Sequence, residues 1–264
     1  MLVWSRHWRC VVLGGFALGL GLVFIAPLAV IALASVSRQW NDVLPSGLTV
    51  GNYAAALGGA PGEQVRVSLI TGVAASGIAL LFGSWAALGL RRLGHGRAAL
   101  QVLFYLPSAV PSVSVGLGLL VAFSRPPLLL NGTPMIVLAA HLVLVSAFAF
   151  ASVTAGLARL PPDLEQMAQS LGGRPGYVLR RITLPLLAPY LVTAFSLSFA
   201  LSMGELGATV MVYPPGWSTL PVGIFALTDR GEVFEGAALT IVLAVITLAM
   251  SLLASRAASM RERR

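Results

Sequence analysis

The sequence predicts an all-α, polytopic membrane protein with six transmembrane helices, and three observations carry that reading. Of its 264 residues, 57% are hydrophobic and 10% charged, against about 25% charged in an ordinary soluble domain, so there is too little polar surface to cover a water-soluble core. Apolar runs of about 20 residues, the length that crosses a hydrocarbon core of about 30 Å as helix, recur six times along the chain. The period-2 alternation of a barrel strand is absent. Helix is then the form that bonds its own backbone groups in lipid.

The runs lie near residues 11–35, 67–90, 98–123, 134–158, 185–212 and 236–255. The first ends in small residues, Ala34-Ser35-Val36-Ser37-Arg38, but its apolar stretch exceeds a usual signal-peptide core of about 7–15 residues, so it is expected as an uncleaved helix. Small residues four apart, Gly15 with Gly19 in the first run and Ala79 with Gly83 in the second, suit close helix packing. The third run, 98–123, holds Pro107 and Pro111 and is read as one span. In the fourth, His141 stands among Ala139, Ala140 and Leu142, a setting for a satisfied packing group more than a proton relay. The fifth contains Glu205, the single acid within a run. A carboxylate at membrane depth is costly unless paired or facing water, so Glu205 is a candidate for the pathway, a gate or a structural bond. Ser108, Ser112 and Ser114 in the third run, and Ser196, Ser198, Ser202 and Thr209 in the fifth, offer hydroxyls to a polar passage; most such groups bond their own helix backbone. The outer stretch from Tyr213 to Glu235 is too short to span and reads as an interfacial helix or a capping loop.

Charge sets direction. All 17 basic residues are arginine and the net charge is +8, but they fall in short gaps between apolar runs, so they mark topology and point to no nucleic acid. Six spans put both termini on one side, and that side holds Arg6, Arg9, Arg91, Arg92, Arg97, Arg159, Arg174, Arg180, Arg181, Arg256, Arg261, Arg263 and Arg264. The other holds Arg38, Arg66, Arg125 and Arg230. Both ends are therefore expected in the cytoplasm. The one cysteine, Cys10, excludes a disulfide within the chain and a thiol-clustered metal site. A chain without lysine cannot carry the Gly-x-x-x-x-Gly-Lys phosphate loop. No repeat relates two halves of the chain, as a secondary carrier often shows.

The longest inner loop, Arg159 to Gly173, predicts a short amphipathic helix. Pro161 and Pro162 suit its entrance, Asp163 and Glu165 complement its positive end, and Gly172-Gly173 supplies a stop. Leu164, Met167, Ala168 and Leu171 recur at i, i+3, i+4 and i+7 and form one apolar face, which a helix this short must dock on something to keep. That surface is either the membrane interface or another protein; the narrow face lacks the aromatic anchors of an interfacial helix.

From Gln166 to Pro185 the chain resembles the permease subunits of type I ATP-binding-cassette importers, whose loop reads Glu-Ala-Ala, three residues, Gly, nine residues, Ile, one residue, Leu-Pro. The matching residues are Gln166, Met167 and Ala168, then Gly172, Ile182, Leu184 and Pro185, with every spacing kept. Gln166 replaces the acid and Met167 the first alanine, and Glu165 stands one place early. Leu106-Pro107-Ser108-Ala109-Val110-Pro111, Gly116-Leu117-Gly118 and Gly204-Glu205-Leu206-Gly207-Ala208-Thr209 are similar to the sulfate, molybdate and phosphonate branch. Phe104-Tyr105-Leu106-Pro107-Ser108, Asn131-Gly132-Thr133 and Tyr213-Pro214-Pro215-Gly216-Trp217 resemble the 2-aminoethylphosphonate permeases within it.

The resemblance implies an importer transmembrane domain over 64–253, preceded by an extra helix and outer loop over 1–63 and followed by a cytoplasmic tail over 254–264. It implies half of a passage for a small phosphonate, with molybdate, sulfate or another oxyanion as alternative cargo. It implies two ATPase subunits docked on the 161–185 loop, a second related permease or a second copy, and an external solute-binding protein. ATP and magnesium would be used by the ATPase, with no cofactor on this chain. An ATP-independent carrier coupled through Glu205 and His141 is the competing class; a membrane enzyme lacks a nucleophile beside a histidine and an acid.

Overall fold

A computed structural model of the chain describes residues 6–91, 93, 94 and 96–262; Arg92, Arg263 and Arg264 of the inner-side arginines lie outside them. Helix α1 (Arg6–Ser35) is followed by short strands β1 (Ser37–Gln39) and β2 (Ser46–Leu48), then α2 (Gly51–Leu57) and α3 (Gly59–Arg91). Next come α4 (Arg97–Ala109), α5 (Ser112–Ala122) and α6 (Pro134–Arg159). The inner loop forms α7 (Pro162–Ser170) and α8 (Pro175–Val178), and a π-helical turn (Leu179–Thr183) leads into α9 (Leu184–Met203). Finally α10 (Gly207–Val212), α11 (Leu220–Asp229) and α12 (Val233–Glu262) close the chain. Among the described residues, five helices are long and apolar enough to cross a membrane, and α4 with α5 makes a sixth span if the bent pair is taken together.

Two expected spans are broken. The third is not one helix over 98–123: α4 and α5 meet at 101°. Val110 between them is extended, at φ −97° and ψ 133°, because the ring of Pro111 drives the residue before it out of the helical region. The fifth is not continuous over 185–212. It starts earlier, at Pro175, and stops at Met203, leaving Gly204, Glu205 and Leu206 outside helix before α10 resumes. The π-turn at its head has a local cause as well: the ring of Pro185 crowds the carbonyl four residues back and offers no N–H, and a wider turn relieves both.

The chain divides into two compact units, Met1–Gly62 with Gly223–Val242, and Glu63–Val222 with Leu243–Arg264. In the first, β1 and β2 pair antiparallel with Ser37 opposite Leu48 and Gln39 opposite Ser46. The Asn52 amide donates to the Ser35 and Ser37 carbonyls at 3.0 and 2.9 Å, bonding the end of α1 to the start of α2. Among the described residues, no atom lies within 4 Å of a Cβ added to Gly15 or Gly19 of α1.

In the second unit α6 is the central helix. Its Phe150, Val153 and Leu157 pack with Ala87 and Leu90 of α3 and Leu187 and Ala194 of α9. Its Ile136, Val137 and Ala140 pack with Ala208 and Val212 of α10. Ala75 and Ala79 of α3 meet Val145 and Ala149, and a Cβ on Gly83 would lie 3.0 Å from the Phe150 nitrogen. Lipid gives no hydrophobic drive for association, so small residues that allow this approach supply the packing contacts instead. A close backbone approach also joins the two broken spans: a Cβ on Gly116 of α5 would sit 2.6 Å from the Ala208 carbonyl oxygen of α10.

Gly116→Val should therefore force backbone apart and lower the stability of the detergent-solubilised protein by about 1–3 kcal/mol. Gly118→Ala, where nothing lies within 4 Å, should leave the thermal midpoint unchanged or slightly raised.

Candidate functional site

The inner loop folds as its spacing predicts. Helix α7 spans nine residues with Asp163 and Glu165 in its first turn. Its end is a full Schellman motif: Gly172 N donates to Gln169 O and Gly173 N to Ala168 O, both at 2.9 Å. Gly172 has φ +86°, a conformation that costs any residue with a Cβ. The apolar face is uncovered: Leu164, Met167 and Leu171 are 41, 63 and 88% exposed, while Ala168 is half-buried. Gln166, at the family's acid position, is exposed. Ile182 and Leu184 are half-buried and Pro185 exposed, at the π-turn and the first turn of α9.

Glu165 does more than complement the helix end. Its Oε1 accepts Arg91 Nη1 at 2.9 Å and the Thr183 hydroxyl at 2.7 Å. The carboxylate thereby joins α7 to the last turn of α3 and to the π-turn. Arg91 enters the sequence reading only as a topology charge, and Thr183 has no role in it.

Beside the break at Gly204–Leu206 the structure gathers four of the five pathway candidates. Ser108, Ser112, Ser202 and Glu205 line one cavity of about 130 Å³, with Pro107, His141 and Phe148 beside them. The fifth, Thr209, is joined to it through His141. The imidazole is 2% exposed; its Nδ1 lies 2.6 Å from Ser202 Oγ and its Nε2 2.9 Å from Thr209 Oγ1. Thr209 Oγ1 also lies 3.3 Å from the Glu205 carbonyl oxygen. A neutral imidazole donates through one ring nitrogen and accepts through the other, so both hydroxyls are bonded in either tautomer. The ring spans the break in the fifth span and holds its two sides, while the Glu205 side chain fills the opening: Oε1 accepts the Ala208 N–H at 2.8 Å and caps α10.

The other hydroxyls part company. Ser108 bonds the Tyr105 carbonyl of its own helix at 2.7 Å, and Ser196 and Ser198 are buried without a hydrogen-bond partner. Beyond α10, Trp217 Nε1 donates to Thr71 Oγ1 at 3.3 Å and Leu220 N to Ser68 Oγ at 2.7 Å. These bonds hold Trp217 and Leu220 to α3, and α11 is a helix within the stretch read as an interfacial helix or capping loop.

A model of binding-protein-dependent transport system inner membrane components matches residues 79–264. A Salmonella paratyphi A protein, provisionally named 2-aminoethylphosphonate transport system permease protein PhnV, is 56% identical over 98% of this chain and 98% of its own. The molybdenum transport system permease protein ModB of Mycobacterium bovis is 35% identical, with 72% of each chain covered. Among solved structures, a bacterial ABC transporter involved in alginate import matches with TM-score 0.74 and 18% identity over 97% of this chain and 99% of that one. The MetNI methionine ABC transporter matches with TM-score 0.63 and 15% identity over 75% and 94%. These two likenesses are of fold.

Glu205→Gln keeps an oxygen for the Ala208 N–H, whereas Glu205→Leu removes it and should cost about 1 kcal/mol of stability in a thermal melt. If the carboxylate serves only as a cap, the Gln variant should transport normally; a Gln variant that melts normally but fails in uptake assigns the charge to the pathway or gate.

Proposed function

The chain belongs to the binding-protein-dependent transport system inner membrane components, and from that premise we propose how it works. It is the permease subunit of an importer and forms half of the membrane passage for 2-aminoethylphosphonate, the cargo in the name of its 56% identical relative. A second permease, related or identical, supplies the other half. An external solute-binding protein delivers the cargo, and two ATPase subunits that bind ATP and magnesium dock on the 161–185 loop. Both termini are cytoplasmic, on the side that collects most of the arginines.

The observation that carries this reading is the bare apolar face of α7. A nine-residue helix is unstable alone. This one is held at its exit by the Schellman bonds, and the residues it turns outward are Leu164, Met167 and Leu171. A narrow aliphatic face without aromatic anchors fits a protein groove better than lipid headgroups. When the ATPase pair closes, displacement of α7 passes through Ile182, Leu184 and Pro185 into α9 and reaches the break at Gly204–Leu206. The cavity lined by Ser108, Ser112, Ser202 and Glu205 lies along that break and serves as a section of passage. Glu205 acts there as gate and cap: its carboxylate repels the phosphonate anion, and one of its oxygens is already engaged.

Met167→Glu or Ala168→Asp should cut uptake by about tenfold or more at normal membrane abundance, the scale of burying an unpaired charge in a docking groove. Normal uptake by either variant would sink the docking role. In vesicles holding the complete transporter, labelled 2-aminoethylphosphonate should accumulate only with ATP, and excess unlabelled 2-aminoethylphosphonate should compete where molybdate does not. Accumulation without ATP, following the proton gradient, would contradict the assignment.

A further inference from the structure

We propose that Arg91, acting through Glu165, is a positioning residue for energy coupling: it locks α7 to the end of α3 and to the head of α9, so that the loop helix and both membrane helices move as one body. The inference rests on the docking role of α7 above. One carboxylate oxygen carries the lock, with Arg91 Nη1 at 2.9 Å and the Thr183 hydroxyl at 2.7 Å. The three residues come from separate elements, with Arg91 74 residues before Glu165 and Thr183 18 after it.

Helix geometry explains why Glu165 is available for this. Successive residues turn by about 100°, so Glu165 and Gln169 share a flank about a third of a turn away from the apolar face. Both line a cleft of about 400 Å³ together with Trp85, Arg91, Leu179 and Thr183. One flank of α7 thus faces the rest of its own chain while the apolar face stays free for a partner. Each direction of a push or pull on α7 then meets a bond: toward α3 through the guanidinium, toward α9 through the hydroxyl. Thr183 is 3% exposed and adjoins Leu184 and Pro185, so force on Glu165 enters α9 at its first turn.

The bond is built for direction more than for fold stability. The Arg91 and Glu165 side chains are 27 and 23% exposed, so water screens the pair and its removal leaves the apolar core untouched. Loss of the lock should show in the efficiency of coupling while the assembled protein persists.

The test uses the complete transporter, with its ATPase, second permease and binding protein, in lipid vesicles, and reads cargo moved per ATP hydrolysed together with the amount of assembled complex. R91Q should lower cargo per ATP by about threefold or more, the scale of one partly screened, charge-assisted bond. R91K, which keeps the cation, should stay close to the parent. The exchange Arg91→Glu with Glu165→Arg should recover most of what Arg91→Glu alone loses. Thr183→Val removes the hydroxyl without touching charge, and it decides on the same readout if R91Q fails to accumulate. An unchanged ratio in R91Q, or in T183V where R91Q is absent, overturns the lock. M167E in parallel separates the two claims: if it uncouples and R91Q does not, docking stands and the lock is wrong; if neither uncouples, both fall.

Discussion

In lipid, a backbone N–H or C=O that leaves the helical ladder finds no water, so every break in a membrane helix must be bonded by the protein itself. The break at Gly204–Leu206 depends on that constraint being met. Glu205 turns its side chain back to the Ala208 N–H at 2.8 Å, and the Thr209 hydroxyl lies beside the Glu205 carbonyl. His141, from a different helix, ties Ser202 on one side to Thr209 on the other. These groups bond the non-helical link between α9 and α10. They also explain the weight on α6, which brings His141 to the break and packs against both α9 and α10. Ser202 and Glu205, on either side of the end of α9, line the cavity beside the link.

The inner end obeys the same rule by other means. Water is present, so charge replaces buried hydroxyls as the fastening. The exit of α7 bonds its own orphan carbonyls through Gly172 and Gly173, and its flank is fastened by Arg91 and Thr183. What remains unfastened is the aliphatic face, the surface proposed above to receive an ATPase subunit. Between this face and the break at Glu205 lies α9, a helix of 20 residues headed by the π-turn. It is along α9 that the proposed displacement of α7 would travel.

Composition and run length reveal the spans because lipid selects for them residue by residue. The loop helix is legible because its entrance, face and stop all lie within about a dozen residues. The two breaks are not. Proline is tolerated inside membrane helices, so Pro107 and Pro111 do not announce a 101° bend until the extended Val110 is seen between them. Glu205 was visible as a costly acid, but a cap and a gate look alike in one dimension. The pairings that matter most join distant residues: His141 to partners 61 and 68 positions on, and Arg91 to Glu165 across 74. Periodicity carries no information about such pairs. Inner-side arginines are moreover expected for topology alone, so nothing in the sequence sets Arg91 apart from the others.

Site-directed crosslinking tests the central claim most directly. In a Cys10→Ser background, a single cysteine at position 167 with a short thiol-reactive photoprobe would be activated in vesicles holding the assembled transporter. The account predicts a covalent product with the ATPase subunit whose yield changes between nucleotide-free and ATP-bound states. Adducts only with lipid, or a yield indifferent to nucleotide, would contradict it.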